Sequence, residues 1–351
     1  MRVAVLGAGA IGAYVGAALH RGGADVHLVA RGAQLAALRE RGVTVLSPRG
    51  DFHAHPPATG DPAEVGTVDY VFLGLKAQQY ASCGALLRPL LGRDTAVIAA
   101  QNGIPWWYFH GLSGHALEGR RIEAVDPGGT VSTVIEARRA IGCVVYCSTE
   151  IAEPGVIRHL EGTRFAIGEP DGRISRRCLD FSAAMVAGGL KCPVEADLRN
   201  DIWIKLMGNV AFNPLSALTR ATMVQIATHP GARRLVGAMM AETLAVARAT
   251  GSAPGVSIDR RIAGAERVGH HRTSMLQDLE AGKEMETGAI LGAVVELAEL
   301  TGVPAPTLRD VHAAVDLLAR TSTTGALAGA ATGHPTAAPE PTTPARKAEP
   351  T

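Results

Sequence analysis

Residues 1–23 read MRVAVLGAGAIGAYVGAALHRGG, and the way this stretch is parsed decides the fold. As one apolar run it could be taken for a secretory leader. Its glycines, however, fall where a strand, a turn and a helix need them, and no cleavage-like segment follows. RVAVLGAG reads as a strand, a helix opens at about Ile11 and runs through YVGAALHRG, and ADVHLVAR reads as a second strand. Gly7, Gly9 and Gly12 then supply G-x-G-x-x-G at the first turn of a β-turn-α-β unit. Gly7 serves the tight turn, Gly9 lets backbone N–H groups approach a pyrophosphate, and Gly12 allows helix and strand to pack closely. The backbone from Gly7 to Gly12, with Ala10 and Ile11, is the expected dinucleotide cradle.

The end of the second strand selects the dinucleotide. A fold that takes NAD usually places Asp or Glu there to hold the ribose 2′-hydroxyl, whereas LVARGAQ offers Arg31 and no acid. A guanidinium presents a forked donor set that matches a phosphate, so NADP(H) is the expected cofactor. DYVFLGLK (69–76) and DTAVIAAQNG (94–103) are near-continuous apolar runs of the kind buried parallel strands show. Their C-terminal ends carry Lys76 and Asn102 to the edge where open α/β sheets bind ligands, though plain loop capping explains either residue equally well. Trp106 and Trp107, directly after QNG and Ile-Pro, can wall a substrate pocket or pack core beneath a loop. Alternating, turn-rich sequence from about 130 to 172 suggests antiparallel strands that complete a first domain at 1–193.

Beyond 193 the pattern turns helical. In RNDIWIKLMGNVAFNPLSAL, Lys205, Asn209 and Asn213 recur every fourth residue and so share one stripe of an otherwise apolar helix. Two further helical stretches end at Gly251 and Gly302. The expected architecture is an α/β Rossmann-type N-terminal domain followed by an all-α C-terminal domain at 194–320. The Thr/Ala/Pro-rich segment 321–351 is expected to be a disordered tail.

Composition narrows the function classes. With 351 residues, 47% hydrophobic and a formal net charge of +1, the chain suits a two-domain globular protein. Its lysines and arginines are scattered, which argues against a nucleic-acid partner. The five cysteines follow no metal-ligand or C-x-x-C spacing, so free thiols, no metal and a cytoplasmic setting are expected, and no uncharged run apart from the glycine-punctuated N-terminus is long enough for a membrane span.

These motifs together resemble the ketopantoate reductase (2-dehydropantoate 2-reductase) family over nearly the whole chain. The likeness rests on GAGAIG (7–12), Arg31, Leu75-Lys76, QNG (101–103), KLMGNVAFNPLSAL (205–218) and TSMLQDLEAGKEMET (273–287). It implies NADPH and a 2-oxo acid meeting in the cleft between the two domains, in the step toward pantothenate. It also implies roles: Lys205 as proton donor to the ketone oxygen and Glu286 as its partner, with Asn102, Asn209, Asn213 and Ser274 around substrate and nicotinamide. Arg31 and Lys76 match cations around the 2′-phosphate, and Asp278 matches a supporting acid. Elementary chemistry agrees, because hydride delivery builds negative charge on the ketone oxygen and a positioned ammonium can both stabilise that charge and surrender a proton. The chain departs from the family pattern after Glu286, where Thr287 and Gly288 follow and Leu291 stands in place of an asparagine. Two alternatives therefore stay open: a paralogue reducing a different or bulkier ketone, and a non-catalytic NADP-binding sensor, which would need neither Lys205 nor Glu286. Apolar helices in the second domain could form a homodimer face or a monomer's core.

Overall fold

The structure, a computed structural model, describes residues 1–331. The first half is one nine-stranded sheet, built from β1 (Arg2–Leu6), β2 (Asp25–Val29), β3 (Val43–Leu46), β4 (Phe52–Ala54), β5 (Ala58–Thr59), β6 (Val68–Leu73), β7 (Leu91–Ala99), β8 (Ala140–Glu153) and β9 (Val156–Gly168). Their spatial order is β4-β3-β9-β8-β7-β6-β1-β2-β5. From β5 to β8 every neighbouring pair is parallel, whereas β8 and β9 form the antiparallel pair expected near the end of this half. Helices α1 (Ala10–Arg21), α2 (Gly32–Arg41), α3 (Gly84–Leu87), α4 (Thr130–Val134) and α5 (Arg176–Ala187) complete it. The second half is helical, with α6 (Leu198–Thr219), α7 (Met223–Thr228), α8 (Pro230–Ala249), α9 (Ile258–Val268), α10 (Ser274–Glu280), α11 (Ala293–Thr301) and α12 (Pro306–Ala331).

The chain leaves β1 for β2 on one side and later returns to β6 on the other, so the strand order reverses at β1. That reversal opens a crevice beyond the carboxyl ends of the strands. Gly7 turns there with φ +93°, outside the range open to most side chains. A Cβ on Gly12 would be driven into the carbonyl oxygen of Gly7, whereas one on Gly9 would meet nothing within 4 Å. Gly7 and Gly12 thus do the turning and the close packing that the spacing implied, while Gly9 stands beside open space. Gly74, just after β6, belongs to the same close contact, because a Cβ there would also strike the Gly7 carbonyl.

Alternation along β1 sends Val3 and Val5 to one apolar cluster and Ala4 and Leu6 to another. The second cluster runs on without a break into Trp203, Leu206 and Met207 of α6 and Met239 of α8. Sheet and helices therefore share a core, and α6 has a fixed place relative to the strand ends. Asp197 caps α6 by accepting from the Asn200 N–H, and the helix stops at Arg220, which adopts a left-handed φ of 63°.

Two boundaries and three short strands differ from expectation. Val194 still bridges to Ile167 of β9, so the helical half opens with Leu198 and not at 194. Strands β3, β4 and β5 went unread because they are only two to four residues long and form by pairing with distant partners. Helix α12 continues to Ala331, past the point where composition placed the start of a disordered tail. An established helix extends readily through alanine and leucine. The rest of the expected tail, 332–351, lies outside the described residues.

Substituting Gly12→Ala should destabilise the fold by about 1–3 kcal/mol through overpacking against the Gly7 carbonyl, read as a lower urea midpoint. Gly9→Ala should leave that midpoint nearly unchanged. A reversed order of the two would contradict this account of the turn.

Candidate active site

Lys205 reaches from α6 across the boundary between the halves. Its Nζ donates to Asn102 Oδ1 at 2.7 Å and to the Val145 carbonyl of β8 at 2.7 Å. An ammonium has three donors, so one remains for a ligand. The Asn102 amide is oriented from both ends: while Oδ1 accepts from the lysine, Nδ2 donates to Glu286 Oε2 at 3.1 Å. Glu286 is buried, and its other oxygen faces the Ala77 N–H at 3.5 Å. Lysine, amide and carboxylate thus form one chain from three distant parts of the sequence.

The loop after β7 places Asn102 by a close backbone contact. Gly103 has φ +84°, and a Cβ there would be driven into the Ala289 carbonyl, which also accepts from the Ile104 N–H at 2.9 Å. Ala289 lies in a π-helical turn, Gly288–Gly292, that begins two residues after Glu286. Such turns often mark functional positions. Leu291, in the asparagine's place, is fully buried in this turn, so that departure from the family pattern falls in the core.

Burial dominates the electrostatics. It lowers the Lys205 pKa from 10.5 to about 8, against the pull of the Glu286 carboxylate, while Arg261 pushes in the same direction as burial. Burial also raises the Glu286 pKa, against the Asn102 hydrogen bond and the charge of Lys76. The Tyr80 hydroxyl, buried and held well above its ordinary range by burial and by Glu286, has no hydrogen-bond partner among the described residues.

A pocket beside Lys205 is lined by Gln101, Asn102, Trp107, Cys143 and Asn209 among others. The tryptophan pair therefore splits. Trp107 lines the pocket, whereas Trp106 packs edge-on against Tyr80 and donates to the Ile135 carbonyl in the core. Among the described residues, Gln101 Oε1 and Trp107 Nε1 are both buried without partners, and so is Asn213 Nδ2, two turns beyond Lys205. Unsatisfied buried polar groups are uncommon, and the two on Gln101 and Trp107, which line this pocket, suit a cleft that receives a ligand.

Not every expected residue gathers at Lys205. Asn213 is buried along the α6 stripe and is not among the pocket's lining residues. Ser274 opens α10, exposed, after the capping residue Thr273. Lys76 is ion-paired with Asp278 and donates to the Glu284 carbonyl at 3.4 Å, so it fastens the first half to the second. Arg31 stands exposed at the end of β2 as the residue capping α2, with no acidic partner among the described residues. Sequence reasoning missed Gly74, Gly103 and the Val145 carbonyl, since each matters through a contact that no local pattern reveals.

The five cysteines are free thiols. No helix among the described residues is long and apolar enough to cross a membrane.

Comparison with known proteins bears on the same two halves. The model for the ketopantoate reductase PanE/ApbA family matches residues 3–172, and that for the ketopantoate reductase PanE/ApbA C terminal matches 197–319. A 2-dehydropantoate 2-reductase of Mesorhizobium japonicum is 46% identical over 320 residues, covering 91% of this chain and 98% of its own. The crystal structure of 2-dehydropantoate 2-reductase from Geobacter metallireducens superposes with a TM-score of 0.78 at 29% identity, covering 93% of this chain and all of the other. A D-mandelate dehydrogenase solved with NADH and anilino(oxo)acetate shares the fold at 20% identity and a TM-score of 0.76, over 92% of this chain and 99% of its own. On the matches across both halves, the chain belongs to the ketopantoate reductase family.

Proposed function

We propose that the protein reduces a 2-oxo acid, 2-dehydropantoate in the first instance, to the 2-hydroxy acid with NADPH, and that Lys205 is the general acid. The observation that carries this reading is the Lys205 ammonium, held by Asn102 and Val145 with one donor to spare. The M. japonicum relative supports the choice of substrate.

The cofactor fits the residues present. Space above Gly9 admits a pyrophosphate against the start of α1, and Arg31 offers a guanidinium where an acid would discriminate against a 2′-phosphate. When bound, the nicotinamide supplies the hydride to the ketone carbon. This chain supplies the rest. Lys205 hydrogen-bonds the ketone oxygen, stabilises the charge that grows on it and transfers a proton from Nζ, general acid work worth about 10²–10⁴-fold. Asn102 fixes the ammonium, and Glu286 fixes Asn102 while keeping the lysine's pKa from falling further. Asn209, one turn on and lining the pocket, offers a neutral amide to the substrate.

Steady-state NADPH oxidation across a panel of 2-oxo acids and bulky ketones tests the substrate. The highest kcat/KM should belong to 2-dehydropantoate, and a far higher value for another ketone would reassign it. Lys205→Ala should depress kcat by about 10²–10⁴-fold while NADPH affinity stays nearly intact. Tight NADPH binding with no turnover of any substrate by the unsubstituted protein would instead favour a sensor.

Arg31→Ala should weaken NADPH much more than NADH, since only NADPH carries the 2′-phosphate; equal losses would sink the cofactor assignment. The pH profile has a definite sign. A general acid must be protonated, so reduction should hold below a pH of about 8 and fall above it as Lys205 loses its proton. Glu286 raises that pKa, so Glu286→Gln should move the alkaline limb to lower pH.

A further inference from the structure

Arg261 projects from α9 into a notch on α6 that Gly208 leaves open. A Cβ at Gly208 would stand 2.6 Å from Nη2 and 2.9 Å from Nε of Arg261, and its three nearest neighbours would all be atoms of this guanidinium. The same Nη2 donates to the backbone carbonyl of Lys205 at 3.5 Å, a long bond to a neutral acceptor. Arg261 is therefore packed from α9 against the backbone of the residue assigned the proton transfer.

Several other partly buried cations are engaged. Lys76 is paired with Asp278, Arg164 with Glu195 and Asp201, and Arg177 with Glu169. Arg199 is closed off by the carbonyls of Tyr108, Pro170 and His110. Arg261 alone of these arginines has neither a carboxylate nor a set of close carbonyls among the described residues. Burial accordingly lowers its pKa, opposed only by Tyr146, whereas carboxylates raise those of Arg164 and Arg177. A largely desolvated guanidinium without an anion is unfavourable, and its forked donors match a carboxylate.

The substrate class supplies that anion. In a 2-oxo acid the carboxylate is bonded to the ketone carbon, so an oxygen held by Lys205 brings the carboxylate within a few ångströms of the same ammonium. We propose that Arg261, seated in the Gly208 notch, anchors the carboxylate of the 2-oxo acid beside Lys205. The inference rests on the reductase reading above and adds the residue that makes the site select an acid over a neutral ketone. The anchor has a second consequence, because the Arg261 charge also lowers the Lys205 pKa and so favours proton release.

The test uses the whole chain with NADPH, 2-dehydropantoate and the neutral amide of the same skeleton. Arg261→Gln should raise KM for the acid by about 10–100-fold, leave KM for NADPH unchanged and bring the preference for acid over amide toward unity. Arg261→Lys should recover part of the loss. Gly208→Ala should displace the guanidinium and act in the same direction, with thermal stability kept or raised by the better helix former. Arg261→Gln should also move the alkaline limb of the pH profile upward, opposite to Glu286→Gln. An unchanged KM for the acid in both variants, equal losses for acid and amide, or a parallel rise in KM for NADPH would overturn the anchor. If the unsubstituted protein reduces no 2-oxo acid, the reductase reading fails and the anchor with it; if it does and Arg261→Gln keeps its KM, only the anchor fails.

Discussion

A lysine ammonium held across the boundary between two halves of the chain is the constraint on which the rest depends. Desolvation disfavours its charge, and the structure answers with the Asn102 and Val145 oxygens at 2.7 Å and with Glu286 behind Asn102. The balance leaves Lys205 with a pKa of about 8, where an amine can hold a proton at neutral pH and still give it up. Neither half could do this alone. The lysine comes from α6, the amide from the loop after β7, and the carboxylate from the segment before the π-turn.

That arrangement requires backbones to approach closely. Gly103 against Ala289 sets the amide loop on the helical half, and Gly12 and Gly74 against Gly7 set the glycine turn at the strand reversal. The continuous core from Ala4 and Leu6 through Trp203 and Leu206 holds these two regions in one frame. Rigid positioning of this kind is what the proposed proton transfer to a ketone needs.

Much of this was legible in the sequence because it is periodic or local. G-x-G-x-x-G is read from spacing, the four-residue stripe of Lys205, Asn209 and Asn213 from helical geometry, and the long apolar strands from their composition. What escaped depends on distant partners. No local signal says that Lys76 is tied to Asp278, that Trp107 lines a pocket while Trp106 fills a core, or that Gly208 makes room for Arg261. Short strands such as β5 and the helical continuation to Ala331 likewise owe their form to what they extend or pair with.

The chain has only five lysines, Lys76, Lys191, Lys205, Lys283 and Lys347, which makes the central claim directly measurable. In the full protein labelled with 13C-lysine, NMR titration should show one side-chain resonance, absent from the Lys205→Ala variant, with its midpoint near pH 8. A Lys205 resonance that titrates near 10.5, like an ordinary solvated lysine, would contradict the account.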